Sequence, residues 1–358
     1  MKPRVLQVLM TDSFSGAESI ALSIAEWLGS DFEFAYASPE GAIRDIVSSH
    51  GVPFLGLADH SLKSVSLAIE RWAPDLIHAH DARASVLCST VGRTIPVIAH
   101  WHSDWPWMRR PMDPRAACLA AISGRLTAIL AVSEAVVDEF YWSRLPTIRR
   151  RIQVLPNAID VGLVRSRALQ PQQGSSLESD LLFVGRLAEP KDPTMFIHIV
   201  KRVRSRFPSV RAVVLGSGPL LSSICTARDN AGLSQNVSIL GQVDNPFPYM
   251  AHTRVLVCPS RYEGFGLAAA EAAVLGTPVV AARVGGLGSA VLDGVNGYLC
   301  ASEEEMTARV LSILEDDEEY LRLKTGSCTA VQRFLGPQEY ASRLSTIYRQ
   351  VLKDSSRE

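Results

Sequence analysis

Closely spaced cysteines are missing from this sequence. The six present, Cys88, Cys118, Cys225, Cys258, Cys300 and Cys328, are scattered. With no Cys-x-x-Cys pair among them, a disulfide framework and a zinc knuckle are excluded, and reduced thiols are the plain reading. A long apolar run is also missing. The least polar stretch, Ala116 to Val132, is broken by Ser123, Gly124, Arg125 and Thr127. It falls short of the roughly 18 apolar residues of a membrane span. Few apolar residues precede Thr11 and Asp12, too few for a secretory leader. Nor does charge of one sign dominate: 36 Lys and Arg face 37 Asp and Glu, for a net charge of -1. Without a global basic field, nucleic acid is not an expected partner. The expectation is a cytoplasmic protein, at most peripheral to the inner face of a plasma membrane.

What is present is ordinary globular material. The 358 residues are 47% apolar and 20% charged, enough for two domains with separate cores. Short Val, Ile and Leu runs alternate with amphipathic stretches. Val5–Met10, Glu33–Ala37, Leu76–His80, Val97–His100 and Ala128–Val132 read as one set of strands. Leu181–Val184, Arg211–Leu215, Val237–Leu240, Val255–Cys258, Pro278–Ala281 and Gly297–Leu299 read as a second. Strands alternating with helices predict an α/β chain of two doubly wound parallel sheets. The Gln, Pro, Gly and Ser composition around 170–176 predicts a linker over 166–180. The expected division is 1–165, linker, 181–335, and a C-terminal helix over 336–358 that returns toward the first domain. Ligands of such sheets bind at the carboxyl ends of the strands, so function belongs in the turns that follow them.

After Val255–Cys258 comes Pro-Ser-Arg-Tyr-Glu-Gly-Phe-Gly-Leu and then the helix former Ala-Ala-Ala-Glu-Ala-Ala-Val-Leu. Gly264 and Gly266 open that helix, and a helix amino terminus with bare N–H groups suits a diphosphate. Glu263 and Glu271 are acceptors for ligand hydroxyls rather than phosphate partners, which implies a ligand carrying both phosphates and sugars. Taken alone, Glu263 could equally cap a helix and Glu271 lie on the surface. Leu181–Val184 leads into Gly185-Arg186 and then Lys191, a cation pair able to hold phosphate oxygens and stabilise a departing diphosphate. Arg211–Leu215 leads into Gly216-Ser217-Gly218, a tight turn, and Leu240-Gly241-Gln242-Val243 ends a third strand where a base could stack or bond backbone.

In this order, these residues resemble the retaining glycosyltransferases of the GT-B fold, family 4 (group 1). The most specific element is Glu-x7-Glu, here Glu263 and Glu271. The resemblance implies two Rossmann-like domains facing across a cleft, the first acceptor-side and the second binding the donor nucleotide. It implies that Glu263 lies near donor sugar hydroxyls and that Glu271 binds the ribose. Arg186 and Lys191 match the pair that neutralises the diphosphate, and backbone at Phe265, Gly266 and Leu267 holds the same phosphates. Leu155-Pro156-Asn157-Ala158-Ile159-Asp160 resembles the interdomain segment, with Ala158 in place of glycine. Asp192 stands where glycine is usual, and Ser15 replaces the first glycine of a Gly-Gly turn, Gly16 keeping the second.

Two His-x-His pairs, His78/His80 and His100/His102, end predicted strands. Their chemistry suits zinc, but no carboxylate or cysteine cluster completes a site, so no metal is expected. The resemblance implies that His102 lies beside the donor sugar, with His78 and His80 lining or supporting the cleft. Trp101, Trp105, Trp107, Met108, Arg109, Arg110 and Arg115 could form an interfacial patch or a packed loop. The expected activity is retaining transfer of a hexosyl unit from a nucleoside diphosphate sugar to an acceptor hydroxyl, in envelope or extracellular polysaccharide or glycolipid synthesis, without cofactor. A GT-B-fold nucleotide-sugar epimerase and an inactive nucleotide-sugar-binding protein are the rivals.

Overall fold

The computed structural model describes residues 1–92, 94–170 and 178–355. Contacts divide the chain into two compact units, Met1–Asn157 with Pro337–Glu358, and Ala158–Gly336.

The first unit is built on β1 (Arg4–Val8), β2 (Glu33–Pro39), β3 (Phe54–Leu57), β4 (Leu76–Ala79), β5 (Val97–Trp101), β6 (Ala128–Ala131) and β7 (Ile152–Val154). They form one parallel sheet in the order β3-β2-β1-β4-β5-β6-β7. Parallel neighbours need crossovers, and these are supplied by α1 (Gly16–Leu28), α2 (Ile43–Ser49), α3 (Leu62–Trp72), α4 (Ala82–Val91), α5 (Pro114–Ile122), with α6 (Glu134–Glu139) and α7 (Pro146–Arg149). β4, β5 and β6 are buried at every residue, as unbroken apolar runs in a covered parallel sheet require.

The second unit repeats the plan with β8 (Ser179–Val184), β9 (Ala212–Leu215), β10 (Val237–Gly241), β11 (Thr253–Cys258), β12 (Val279–Ala282) and β13 (Gly297–Cys300), all parallel, in the order β10-β9-β8-β11-β12-β13. Its helices are α8 (Val161–Ala168), α9 (Pro193–Arg204), α10 (Leu221–Asn230), α11 (Phe247–Ala251), α12 (Leu267–Val274), α13 (Glu303–Glu315) and α14 (Asp317–Val331). The last helix, α15 (Pro337–Ser355), groups with the first unit. It buries Tyr340, Leu344, Tyr348 and Val351, one stripe at helical spacing, with Tyr340 against Trp27 and Tyr348 against Phe32.

Every strand read from sequence is present, with ends shifted by a residue or two. β3 and β7 were not foreseen: they have four and three residues, lie at the sheet edges, and β3 contains Gly56. The change of unit falls at Asn157/Ala158, ahead of the expected linker over 166–180. The reason is that α8 has partners in the second unit. Asp160 caps it through the Leu163 N–H at 2.8 Å, Arg167 donates to the Asp244 carbonyl at 2.6 Å, and Asn245 donates to the Arg167 carbonyl at 2.8 Å. Of the expected linker, 171–177 lie outside the described residues.

Candidate functional site

Each sheet reverses its winding once, between β1 and β4 in the first unit and between β8 and β11 in the second. At such a point the loops leaving adjacent strands diverge and open a crevice at the carboxyl ends. Most of the residues named from sequence lie in the loops at or next to these points, while Val243 and His102 leave strands farther along the sheets. Gly185, Arg186 and Lys191 follow β8, Gly218 follows β9, Val243 follows β10, and Glu263, Gly264, Phe265 and Gly266 follow β11. Leu267 and Glu271 lie on α12; Gly16 opens α1, and His102 follows β5.

In the second unit the β8 and β11 loops are fastened together. The Arg261 N–H donates to the Pro190 carbonyl at 2.9 Å, the Arg261 guanidinium donates to Asp192 at 2.8 Å, and the Lys191 ammonium donates to the Glu263 carboxylate. Ser260 Oγ lies 3.4 Å from the same Glu263 oxygen. Lys191, expected at a diphosphate, is therefore engaged by Glu263. Arg186 is exposed and makes no side-chain hydrogen bond or ion pair among the described residues. Asp192 adopts φ +43°, which explains why glycine is usual there in the family it resembles. Asp192 also caps α9 by accepting from the Met195 N–H at 3.2 Å. Ala158, by contrast, is in an ordinary bridge with Leu335 and needs no glycine.

The turn after β9 presses on the β8 loop. A Cβ on Gly218 would lie 2.5 Å from the Leu187 carbonyl oxygen, so backbone approaches backbone only because this residue is glycine. Gly266 precedes α12 at φ +92°, no side chain caps that helix, and no acidic residue occupies its first turn. That amino terminus is electrostatically open to an anion. About one turn along, burial pushes the Glu271 carboxyl up to about 7, while the charge of Arg167 acts in the opposite direction. Val243 is half-buried beyond β10, where Ser217 Oγ lies 3.4 Å from Gln242 Oε1.

In the first unit Ser15 takes an extended conformation before α1 and donates to Glu18 at 2.5 Å. Glu18 is 1% exposed, and burial raises its pKa above the usual carboxylate range. Asp81, half-buried and adding its own negative charge to the field at Glu18, caps α4 and accepts from the Met10 and Ala84 N–H groups at 3.2 and 2.6 Å. Neither carboxyl was singled out from sequence; the Ser-x-x-Glu spacing of a capping box was the available signal for the first.

Residues two apart share a face, so the four histidines meet. His78 and His80 rings are 4.1 Å apart, as are those of His100 and His102. His80 Nδ1 lies 3.1 Å from His102 Nε2, and His78 Nδ1 lies 2.6 Å from the Tyr348 hydroxyl. His78, His80 and His100 are buried, and neither nitrogen of His100 has a partner among the described residues. Burial holds His78 and His102 down to about 3 and pulls His80 and His100 well below the usual value, so all four are neutral at pH 7. One nitrogen from each of His78, His80 and His100 fall within 4.8 Å of one another. Tetrahedral zinc with bonds of about 2.0–2.1 Å needs them nearer to about 3.4 Å.

The aromatic and basic segment is mixed. Trp101 and Met108 are core, while Trp105 and Met112 are exposed. Arg109 pairs with Glu139, and Arg115 pairs with Asp113 while covering the Trp107 ring at 5.3 Å. No helix among the described residues is long and apolar enough to cross a membrane.

Two family models match the chain in tandem: "Glycosyltransferase Family 4" over residues 16–163 and "Glycosyl transferases group 1" over residues 178–316. A D-inositol 3-phosphate glycosyltransferase of Xylanimonas cellulosilytica is 30% identical over 309 residues, covering 80% of this chain and 69% of that protein. A glycogen synthase of Mycobacterium tuberculosis is 27% identical over 271 residues, 68% of this chain; the match spans only 61% of the synthase. Among solved structures, Anabaena HepE in complex with UDP and glucose superposes with a TM-score of 0.83 at 19% identity, covering 97% of this chain and all of HepE. Sucrose-phosphate synthase of Thermosynechococcus elongatus gives 0.80 at 17% identity, covering 99% of this chain and 100% of the synthase. At these identities the structures establish a common GT-B fold.

Proposed function

The chain belongs to the family 4, group 1 glycosyltransferases, and from that membership we propose that it transfers a hexosyl unit, with retention, from a nucleoside diphosphate sugar to an acceptor hydroxyl. The observation that carries the reading is the fastening of the β8 and β11 loops at the winding reversal. It sets Lys191 against Glu263 in the unit where Arg186 and the open amino terminus of α12 also lie. In the transfer, the bond from the anomeric carbon to the diphosphate oxygen breaks and a bond to the acceptor oxygen forms on the same face. The acceptor proton passes to the leaving phosphate oxygen. Arg186, Lys191 and the α12 backbone at Phe265, Gly266 and Leu267 carry the charge that grows on the diphosphate, so the step needs no divalent ion there. Glu263 orients the sugar, Glu271 accepts from the ribose, and His102 contacts the sugar. No carboxylate nucleophile is assigned.

HepE is described with UDP-glucose, so UDP-sugars are the first donors to test, beside GDP- and ADP-sugars. The proposed acceptors belong to envelope or extracellular polysaccharide and glycolipid synthesis. The test is nucleoside diphosphate release by the purified chain, with acceptor and without added Mg2+ or Mn2+. Lys191→Ala and Glu263→Ala should each reduce turnover by orders of magnitude in a folded protein. Near-wild-type transfer by either variant would remove the assignment. Isomerised donor without acceptor would instead identify an epimerase, and donor binding without turnover a binding protein.

A further inference from the structure

We infer that His80 is a positioning residue that fixes His102 as the Nδ1–H tautomer, with Nε2 as its acceptor nitrogen. The inference rests on the proposed function only in taking His102 to touch substrate. His80 follows β4 and His102 follows β5, adjacent strands in parallel register, and His80 Nδ1 is 3.1 Å from His102 Nε2. One of these nitrogens must carry the proton. If His102 donated, the proton of neutral His80 would sit on Nε2, which is buried and has no partner among the described residues. If His80 donates, Nε2 is left as a bare lone pair. Buried N–H groups without an acceptor are rarer than under-satisfied acceptors, so the second arrangement wins. His100, with neither nitrogen bonded, has no such choice.

The remaining contacts hold the pair in place. His80 is 1% exposed and its ring lies 4.1 Å from that of His78, whose Nδ1 is bonded to Tyr348 of α15. His102 is the half-buried member of the cluster, so its Nδ1–H is the donor it retains for other groups. In a neutral imidazole, the hydrogen bond made by one nitrogen sets which nitrogen carries the proton. A sugar oxygen therefore meets a donor at His102, not an acceptor.

The test is nitrogen NMR of the full chain with labelled histidine near pH 7.5, with His102 assigned by its loss in His102→Gln. The expected spectrum has a protonated Nδ1 and a bare Nε2 at His102. In His80→Phe the bond is gone and Nε2–H should appear at His102. His80→Asn, whose amide can donate from the place of Nδ1, should restore the wild-type pattern. A wild-type His102 protonated at Nε2, or a pattern unmoved by His80→Phe, would overturn the inference; if that variant does not fold, the wild-type and His80→Asn spectra still decide. In transfer assays His80→Phe should lower kcat about tenfold, the worth of one hydrogen bond, with KM little changed, and His80→Asn should recover it. The expected spectra with unchanged kcat would leave the lock standing and refute the contact of His102 with substrate.

Discussion

Replacing Asp192 by alanine tests whether the loop after β8 is held by that one side chain. Three effects are removed or introduced together. The cap on α9, accepted from the Met195 N–H at 3.2 Å, is lost at about 1 kcal/mol. The bond from Arg261, 2.8 Å long but to a guanidinium 53% exposed, is worth about 0.5–1 kcal/mol after screening. Alanine at φ +43° adds about 1 kcal/mol, because aspartate tolerates the left-handed region better. The sum is about 2.5–3 kcal/mol, a fall of roughly 5–10 °C for a domain of this size. Asp192→Gly removes the backbone cost and sacrifices only a few tenths at the cap, so it should lose about 1 kcal/mol. Asp192→Asn keeps both the cap and the conformational tolerance and should lose less than about 1 kcal/mol. Calorimetry of the intact chain should rank the variants Asn and Gly above Ala. Equal stability of the alanine and glycine variants would refute the backbone argument.

Three further outcomes follow from the charges. Burial pushes the Glu271 carboxyl up to about 7. If the ribose needs its carboxylate, donor affinity should rise from pH 6 to 8, and a pH-independent affinity in wild type, or one still rising in Glu271→Gln, would remove that role. The same raised pKa, against 4.5 unfolded, makes the folded form bind the proton more tightly, so its contribution to stability declines between about pH 4.5 and 7. The histidine cluster has the opposite sense. Folded values depressed from 6.5 give stability that is intact above pH 6.5 and lost as pH falls toward 3, at about 1.4 kcal/mol per histidine per unit. Urea unfolding of His100→Leu between pH 7.5 and 5.5 should show a slope flatter by about half a proton on average, approaching one proton at the acid end, and an unchanged slope would contradict the buried neutral assignment. We also propose that Trp105, Met112 and Arg110 make peripheral contact with anionic lipid. Flotation with anionic vesicles should depend on all three, and no binding with or without anionic lipid would dismiss the idea.

The sheets were legible because their strands are apolar runs buried on both faces, and such runs leave a sequence signal even at four residues. β3 and β7 were not, because Ile152–Val154 has only three residues with exposed Gln153 at its centre, and Phe54–Leu57 is broken by exposed Gly56. The boundary was misplaced for a different reason. Gln, Pro, Gly and Ser mark a stretch of low packing content, but the unit changes where contacts change. Those depend on Asp244 and Asn245 reaching back to Arg167 from far along the chain.

The site was legible where backbone geometry restricts residue choice: Gly218 by the approach of Leu187, Gly266 by its positive φ. The partners were not legible, since the links Lys191 to Glu263 and Arg261 to Asp192 exist only because β11 lies beside β8. That adjacency has a chemical consequence. Without ligand, the Lys191 ammonium is balanced by Glu263, and Arg186 carries no such partner among the described residues. In the proposed transfer, an arriving diphosphate would bring its own negative charge to Arg186 and draw Lys191 with it. The Glu263 oxygen released by Lys191 would then accept from a hydroxyl of the attached sugar. On that proposal one ion pair holds both groups before binding and divides them between phosphate and sugar afterwards, giving a lysine and a glutamate from loops some seventy residues apart a joint role at a single winding reversal.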